Sequence, residues 1–253
     1  MTKILITCLE KSGGTALYHK VLKSFPGKIS GIFEPKMLGD LNSESLLVKT
    51  NIVNVKQCFQ KWDKKILLVR DPRDLIISAM LFNSYSLYDK EDQFRAFRSL
   101  LLKKEYDPKS TPVTRLQKAV GYVDPINFYS RLFDELIEFS KKKEYFIFKF
   151  EDMVLKNYVK LENYLGFKIK DVEIPEKHDI VVRKKEAGDW KNWFTSSDLY
   201  VYKEVINKYL EAFGYPVKWE KETNRIIMPE HASKYVTKIV NKRRLENKLF
   251  LLE

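Results

Sequence analysis

Lys3-Ile4-Leu5-Ile6-Thr7-Cys8-Leu9-Glu10-Lys11-Ser12-Gly13-Gly14-Thr15 sets an apolar run, a charged pair and a glycine pair in immediate succession. The run from Lys3 to Leu9 reads as a buried first strand, and Ser12 to Gly14 as a tight loop. Thr15 to Phe25 is predicted to be a helix, because Leu17, Tyr18, Val21, Leu22 and Phe25 fall on one helical stripe. A strand, a glycine loop and a helix in this order open the phosphate-binding α/β domains. Glycines let the backbone curl so that its N–H groups face an anion; the helix end adds partial positive charge and Lys11 a full one. The lysine precedes both glycines, whereas in a Walker nucleotide loop it follows the last, which disfavours an ATP-type P-loop. Taken alone, the same residues also describe an ordinary glycine turn capped by Ser or Thr.

Outward from this unit, Pro26-Gly27 ends the helix, and Lys28 to Phe33 gives a second strand that leads into Glu34-Pro35. Leu46 to Lys49 and Lys65 to Val69 are short apolar runs flanked by charge, as central strands of a parallel sheet are. A helix is expected from Pro72, helical insertions and a loop over the active face from Tyr85 to Asp124, an amphipathic helix from Ile126 to Ser140 and a strand from Glu144 to Phe150. Two further helices run from Asn157 to Leu165, closing on Gly166, and from Ser197 to Phe213, closing on Gly214. This alternation predicts a single α/β domain with a central parallel sheet covered by helices on both faces. The domain spans residues 1–228. Residues 229–253 read as a basic amphipathic extension, one helix with Tyr235, Val236, Ile239, Val240, Leu245, Leu249 and Phe250 on its apolar stripe.

With 253 residues and 44% hydrophobic composition, the chain can bury one substantial core. Its net charge of +12 draws in anions without choosing among nucleotide, nucleic acid, glycan and lipid headgroup. Two cysteines, Cys8 and Cys58, make no disulfide framework and favour a reducing compartment. Ile4 to Leu9 is too short for a signal segment, and no stretch approaches the roughly 20 apolar residues of a membrane span. The expectation is a cytoplasmic protein. His19, His178 and His231 have no metal-ligand spacing and read as structural or solvated.

Two more motifs bear on chemistry. In Val69-Arg70-Asp71-Pro72-Arg73-Asp74, the arginine closes a strand where open α/β sheets bind ligands, and Ser78 follows on the next helix. Asp71-Pro72 is equally a normal helix start. In Arg183-Lys184-Lys185-Glu186-Ala187-Gly188-Asp189-Trp190-Lys191-Asn192-Trp193, cations, a glycine and aromatics describe either a phosphate clamp or a solvated loop anchored by its tryptophans.

In this order, the three motifs resemble those of the sulfotransferases that use 3'-phosphoadenosine-5'-phosphosulfate (PAPS), over about Ile4 to Tyr215. Leu47-Val48-Lys49-Thr50 and Phe150-Glu151-Asp152-Met153 resemble a strand end and a strand-to-helix junction of the same family. The resemblance implies a P-loop-like PAPS site in which Lys11, Ser12, Gly13, Gly14 and Thr15 hold the 5'-phosphosulfate. It implies that Arg70, Ser78, Arg183 and Lys184 hold the 3'-phosphate that ATP lacks, with Lys11 and Lys49 at the bridging and sulfuryl oxygens. It implies PAPS as donor, 3'-phosphoadenosine-5'-phosphate (PAP) as product, no metal, and a hydroxyl or amine on an acceptor that the sequence does not identify, a glycan or small molecule being candidates. No nucleic-acid partner or membrane span is expected, and association as a homodimer is compatible with it.

The sequence departs from the cytosolic branch where a histidine base would stand, for it has Asn51, and an amide does not take a proton at neutral pH. Glu34-Pro35 resembles the setting of a catalytic glutamate in glycan-modifying and some bacterial branches, so the base is assigned to Glu34. Read only as a sequence, Glu34 is equally a solvent-facing carboxylate before a turn-forming proline. Ala16 stands where that branch stacks a tryptophan on adenine, and Lys185 where its clamp loop has a glycine. Two competing readings are a small-molecule P-loop kinase and a basic module binding nucleic acid or anionic glycan. The position of Lys11 counts against the first, and the lack of a nucleic-acid motif against the second.

Overall fold

The computed structural model describes residues 2–35, 45–52, 54, 61–142, 144–176, 178 and 182–252; Cys58 lies outside them. Five parallel strands, β1 (Lys3–Cys8), β2 (Ser30–Phe33), β3 (Leu46–Asn51), β4 (Lys64–Val69) and β5 (Phe146–Lys149), form one sheet in the order β2-β3-β1-β4-β5. The expected α/β class with a central parallel sheet flanked by helices is what the chain adopts. The apolar run that opens the sequence becomes the middle strand, paired Ile6 to Lys49 on one side and Ile6 to Ile66 on the other.

The sheet divides its side chains with the period of two that a strand dictates. Ile4, Ile6 and Cys8 pack with Leu47, Ile66 and Leu68 on one face, while Leu5 packs with Leu46, Val48 and Trp62 on the other. Both sets are buried, which is why these strands are continuously apolar in sequence. The first face is closed by α1 (Gly14–Ser24) through Leu17, Tyr18 and Val21, by α6 (Phe150–Val154) through Phe150 and Met153, and by α7 (Val159–Leu165) through Leu161 and Leu165. Gly166, left-handed at φ 85°, ends α7, as its glycine predicts.

Two compact units share the chain. The first comprises Met1–Arg70 and Leu136–Asp179 and holds the sheet; the second comprises Asp71–Glu135 and Ile180–Glu253. In the second, α2 (Pro72–Asn83) starts as its sequence suggests, with Pro72 at the first position and the Asp71 carboxylate accepting from the Arg73 N–H at 2.9 Å. Residues 85–124 are more regular than their weak periodicity suggests, giving α3 (Glu91–Tyr106) and α4 (Val113–Ala119). α5 (Pro125–Ser140) runs across the boundary of the units, and α8 (Trp190–Trp193), α9 (Ser196–Ala212) and α10 (Ser233–Glu246) complete the second.

A fully buried carboxylate, Asp198, organises this unit. It closes a capping box with Thr195 at the start of α9 and also accepts from the Val113 and Thr114 N–H groups at 2.9 and 3.1 Å, so one side chain caps two helices. The stretch from Pro229 is not the single helix expected. Pro229–His231 is a 3-10 turn, the backbone breaks at Ala232 (φ −137°, ψ −101°), and α10 starts at Ser233. Glu105 makes the break stable by accepting from the Ser233 N–H at 2.6 Å and its hydroxyl at 2.9 Å.

Candidate active site

The strand order reverses between β1 and β4, and in open α/β sheets ligands bind beyond the carboxyl ends of the strands at such a point. β1 is followed there by the loop Leu9 to Gly13. Lys11 (φ 65°) and Gly13 (φ 90°) both adopt the left-handed conformation, and the next residue, Gly14, is already helical. A left-handed residue followed by a right-handed one curves successive N–H groups into an anion-sized concavity, here at the N-terminus of an 11-residue helix. Arg70, at the end of β4, reaches back to hold this loop: its Nη1 donates to the Lys11 carbonyl at 2.9 Å, and its guanidinium lies 4.3 Å from the centre of the Phe150 ring. Ser12 is 1% exposed, and its hydroxyl has no hydrogen-bond partner among the described residues.

Both glycines are required by what surrounds them. A Cβ on Gly13 would lie 2.5 Å from the Phe150 ring, and one on Gly14 would lie 2.5 Å from Cys8 Sγ and 2.7 Å from Lys49 Cε. Lys49 is therefore against the glycine turn, brought there by the β1–β3 register that sets it beside Ile6. Its ammonium is buried (4% exposed), pairs with the Glu34 carboxylate, donates to Asn51 Oδ1 at 3.0 Å and lies 5.1 Å from the Phe33 ring centre.

Glu34 reaches Lys49 because its N–H donates to the Lys49 carbonyl at 2.8 Å, which continues the β2–β3 ladder by one residue. Its backbone is left-handed at φ 47°, a conformation that costs a non-glycine residue about 1 kcal/mol or more and persists where the surroundings enforce it. The Glu34 side chain remains 43% exposed, with Oε1 on the Lys49 ammonium. This arrangement brings together Lys11, Ser12, Gly13, Gly14, Glu34, Lys49 and Arg70 of the residues singled out in the sequence, with Thr15 in the first turn of α1. Burial pushes the Cys8 thiol up, against the pull of Lys49, so Cys8 fills space here as a neutral group.

The second unit holds the other three. Ser78 is buried in α2, and Arg183 and Lys184 belong to an ordered loop. Arg183 Nη1 donates to Asp189 Oδ2 at 2.7 Å and to the His231 carbonyl at 3.3 Å, while its buried Nη2 has no hydrogen-bond partner among the described residues. Lys184 pairs with Glu186 at 3.0 Å and Asp189 at 3.4 Å. Burial alone would raise the Asp189 carboxyl, but Arg183 and Lys184 outweigh it and hold the group below its usual range. The loop is therefore a built ionic cluster and not a run of solvated charges.

Two carboxylates that build it had no role in the sequence reading. Asp74, fully buried in α2, accepts from the Gly188 N–H at 2.6 Å and the Trp190 N–H at 2.8 Å, and so fixes the loop at its glycine. Asp189 also accepts from Trp193 Nε1 at 3.1 Å. Arg73 is engaged structurally, paired to Asp71 at 2.6 Å and stacked 4.0 Å from the Trp190 ring centre. The signal for Asp74 was its place in the first turn of a helix whose other acid is the cap; its partners, more than a hundred positions away, leave no local trace.

The histidines are packed, with His19 and His178 around Phe33 and His231 Nδ1 2.9 Å from the Arg183 carbonyl. Among the described residues no group of three potential metal ligands gathers, and no helix is long and apolar enough to cross a membrane. No family model matches the chain, and neither does any curated protein. Among solved structures, the fold is similar to that of mouse sulfotransferase SULT7A1 complexed with PAP, with a TM-score of 0.50 and 17% identity over 83% of this chain and 85% of that one. At that identity the likeness is one of fold: this chain folds as a sulfotransferase does.

Proposed function

We propose that this chain is a sulfotransferase that takes its sulfuryl group from PAPS and delivers it to a hydroxyl or amine of a glycan or small molecule. The observation that carries the reading is the contact of Glu34 with Lys49 beside the Gly13-Gly14 turn. A carboxylate next to an anionic donor is electrostatically unfavourable unless a cation compensates it, and Lys49 is that cation. The residues present suit a phosphate. The Ser12 hydroxyl is buried with no partner among the described residues, the backbone at Gly13 is curled, and the space beside Gly14 admits no side chain. Bound PAPS would supply an activated sulfuryl group whose transfer leaves PAP.

The chain's own residues then divide the work. Ser12, Gly13, Gly14 and Thr15 hold the 5'-phosphate with N–H groups and hydroxyls. Lys11 and Lys49 offset the charge that grows on the bridging and sulfuryl oxygens. Asn51 keeps Lys49 oriented through its carbonyl oxygen. Arg70 contributes to the 3'-phosphate site, with Ser78, Arg183 and Lys184 assigned to it from the sequence resemblance. Glu34 takes the proton of the acceptor at its carboxylate.

A screen of glycans, phenols, lipids and peptides against labelled PAPS identifies the acceptor, and turnover then tests the base. Glu34→Gln lowers kcat by about 100-fold to 10,000-fold, the usual worth of a general base. PAP affinity is retained or tightened, because the positive charge of Lys49 is no longer neutralised. Asn51→Ala costs much less. Parental turnover in Glu34→Gln, with loss in Asn51→Ala, would move the base away from Glu34.

A further inference from the structure

The segment after α10 is neither a helix nor a fraying tail. Lys248 turns left-handed (φ 58°), its N–H donates to the Leu245 carbonyl at 3.1 Å, and the Leu249 N–H donates to the Arg244 carbonyl at 2.8 Å, the paired bonds of a Schellman ending with lysine where glycine is usual. The chain then doubles back along the helix. Asn241 clasps Leu252 with two hydrogen bonds, Nδ2 to the carbonyl at 2.7 Å and N–H to Oδ1 at 2.8 Å. Arg244, itself buried, donates to the Phe250 carbonyl and, at 2.6 Å, to the Tyr88 carbonyl, which ties the hook to the second unit.

This ordered hook holds large apolar side chains in water. Phe250 is 92% exposed, Leu245 62%, Leu251 57% and Leu249 38%, while Leu252 is buried as the anchor. Lys242, Arg243 and Lys248 lie on the same stretch, where Glu246 is the one acid among the described residues 238–252. Lys238, Lys242 and Leu245 succeed one another at helical spacing on α10, and the left-handed Lys248 then turns Leu249 off that row. Exposed apolar side chains on a backbone fixed by its own hydrogen bonds are costly unless something covers them.

We propose that this hook docks the protein on an anionic lipid bilayer, with Phe250 and Leu251 entering the headgroup–acyl boundary and Lys242, Arg243 and Lys248 meeting the lipid charge. Charge complementarity selects this occupant. In a symmetric contact with a second copy the same cations would face each other. Nucleic acid would satisfy the cations but leave the apolar side chains wet. A bilayer surface covers both, since its headgroups are anionic and its boundary apolar. The inference does not depend on the sulfotransferase reading, although it would bring such an enzyme to a lipid-borne acceptor.

The test is co-sedimentation of the full chain with phosphatidylcholine vesicles, with and without about one-third phosphatidylserine, alongside light scattering. The protein is expected to partition to the phosphatidylserine vesicles, and more weakly at higher salt. Phe250→Ser/Leu251→Ser is expected to lower that partition at least about tenfold, with unchanged thermal unfolding, because both side chains lie outside the core. Lys242→Gln/Lys248→Gln is expected to erase the preference for phosphatidylserine. Parental binding by Phe250→Ser/Leu251→Ser would show that bulk charge does the binding. Absence of binding by the parent, or a parental dimer that this variant dissolves, would overturn the proposal, the latter in favour of a second copy.

Discussion

Gly14→Ala separates the two demands that converge on the glycine turn. Gly14 is helical, so the backbone tolerates alanine, and the whole penalty comes from the added Cβ. That atom would stand 2.5 Å from Cys8 Sγ and 2.7 Å from Lys49 Cε, where ordinary contact begins at 3.4 Å. Cys8 is buried in the middle strand and Lys49 is tied to Glu34 and Asn51, so neither yields without loss. Overpacking of this kind costs about 1–3 kcal/mol. In a chain of this length that corresponds to roughly 2–12 °C in Tm. Displacing the Lys49 ammonium by about an ångström should also cost turnover about 100-fold. Adding Cys8→Ala removes the sulfur but leaves the Lys49 contact. The double variant should therefore regain part of the Tm lost relative to Cys8→Ala alone, while turnover stays low. Circular dichroism melts and sulfuryl transfer from labelled PAPS read the two effects. Parental Tm and turnover in Gly14→Ala, or recovery of both in the double variant, would refute the placement of Lys49.

Other substitutions probe the remaining pieces. Arg70→Ala and Arg183→Ala should each weaken PAP binding by about 1.5–3 kcal/mol, with a smaller loss for a nucleotide lacking the 3'-phosphate; equal losses in calorimetry would mean that Arg70 acts only through the Lys11 carbonyl it holds. Asp74→Ala frees the Gly188 and Trp190 N–H groups and should raise the KM for PAPS about tenfold or more while leaving kcat within a few-fold, a split that a general loss of fold would not produce. Lys104 is fully buried in α3, donates to the Pro108 and Thr111 carbonyls at 3.0 and 2.6 Å, and is pushed down to about 8 by burial. Between about pH 8 and the ordinary lysine value the unfolded chain binds a proton that the folded one does not, so this group favours folding increasingly as pH rises through that window, by up to about 3 kcal/mol. The stability of the parent relative to Lys104→Met, from urea melts, should rise from pH 8 to 10; a flat difference would show that Lys104 stays charged.

The sheet was legible because its cause is local. A strand buried on both faces is apolar at every position, and a glycine pair after it allows one backbone path, so Lys3 to Phe25 reads correctly from the residues alone. Glu34 and Lys49 could be named separately, but their contact depends on the β2–β3 register, which sequence spacing does not give. Asp74 and Asp198 were illegible for a similar reason. Each looks like an acid in the first turn of a helix, yet each caps a segment far away in the chain. The end of α10 misled because Leu249 and Phe250 continue a helical stripe, whereas the hydrogen bonds of Asn241 and Arg244 turn the backbone round.

Which ligand the glycine turn and its cations are built for is read from a calorimetric titration of the unmodified protein. PAP, ATP and single-stranded DNA are titrated under one salt condition. PAP is expected to bind with a Kd at least about tenfold below that of ATP, because only PAP carries the 3'-phosphate proposed to meet Arg70 and Arg183, and DNA is expected to bind weakly. ATP binding as tightly as PAP, or heat released by DNA alone, would contradict the proposed function.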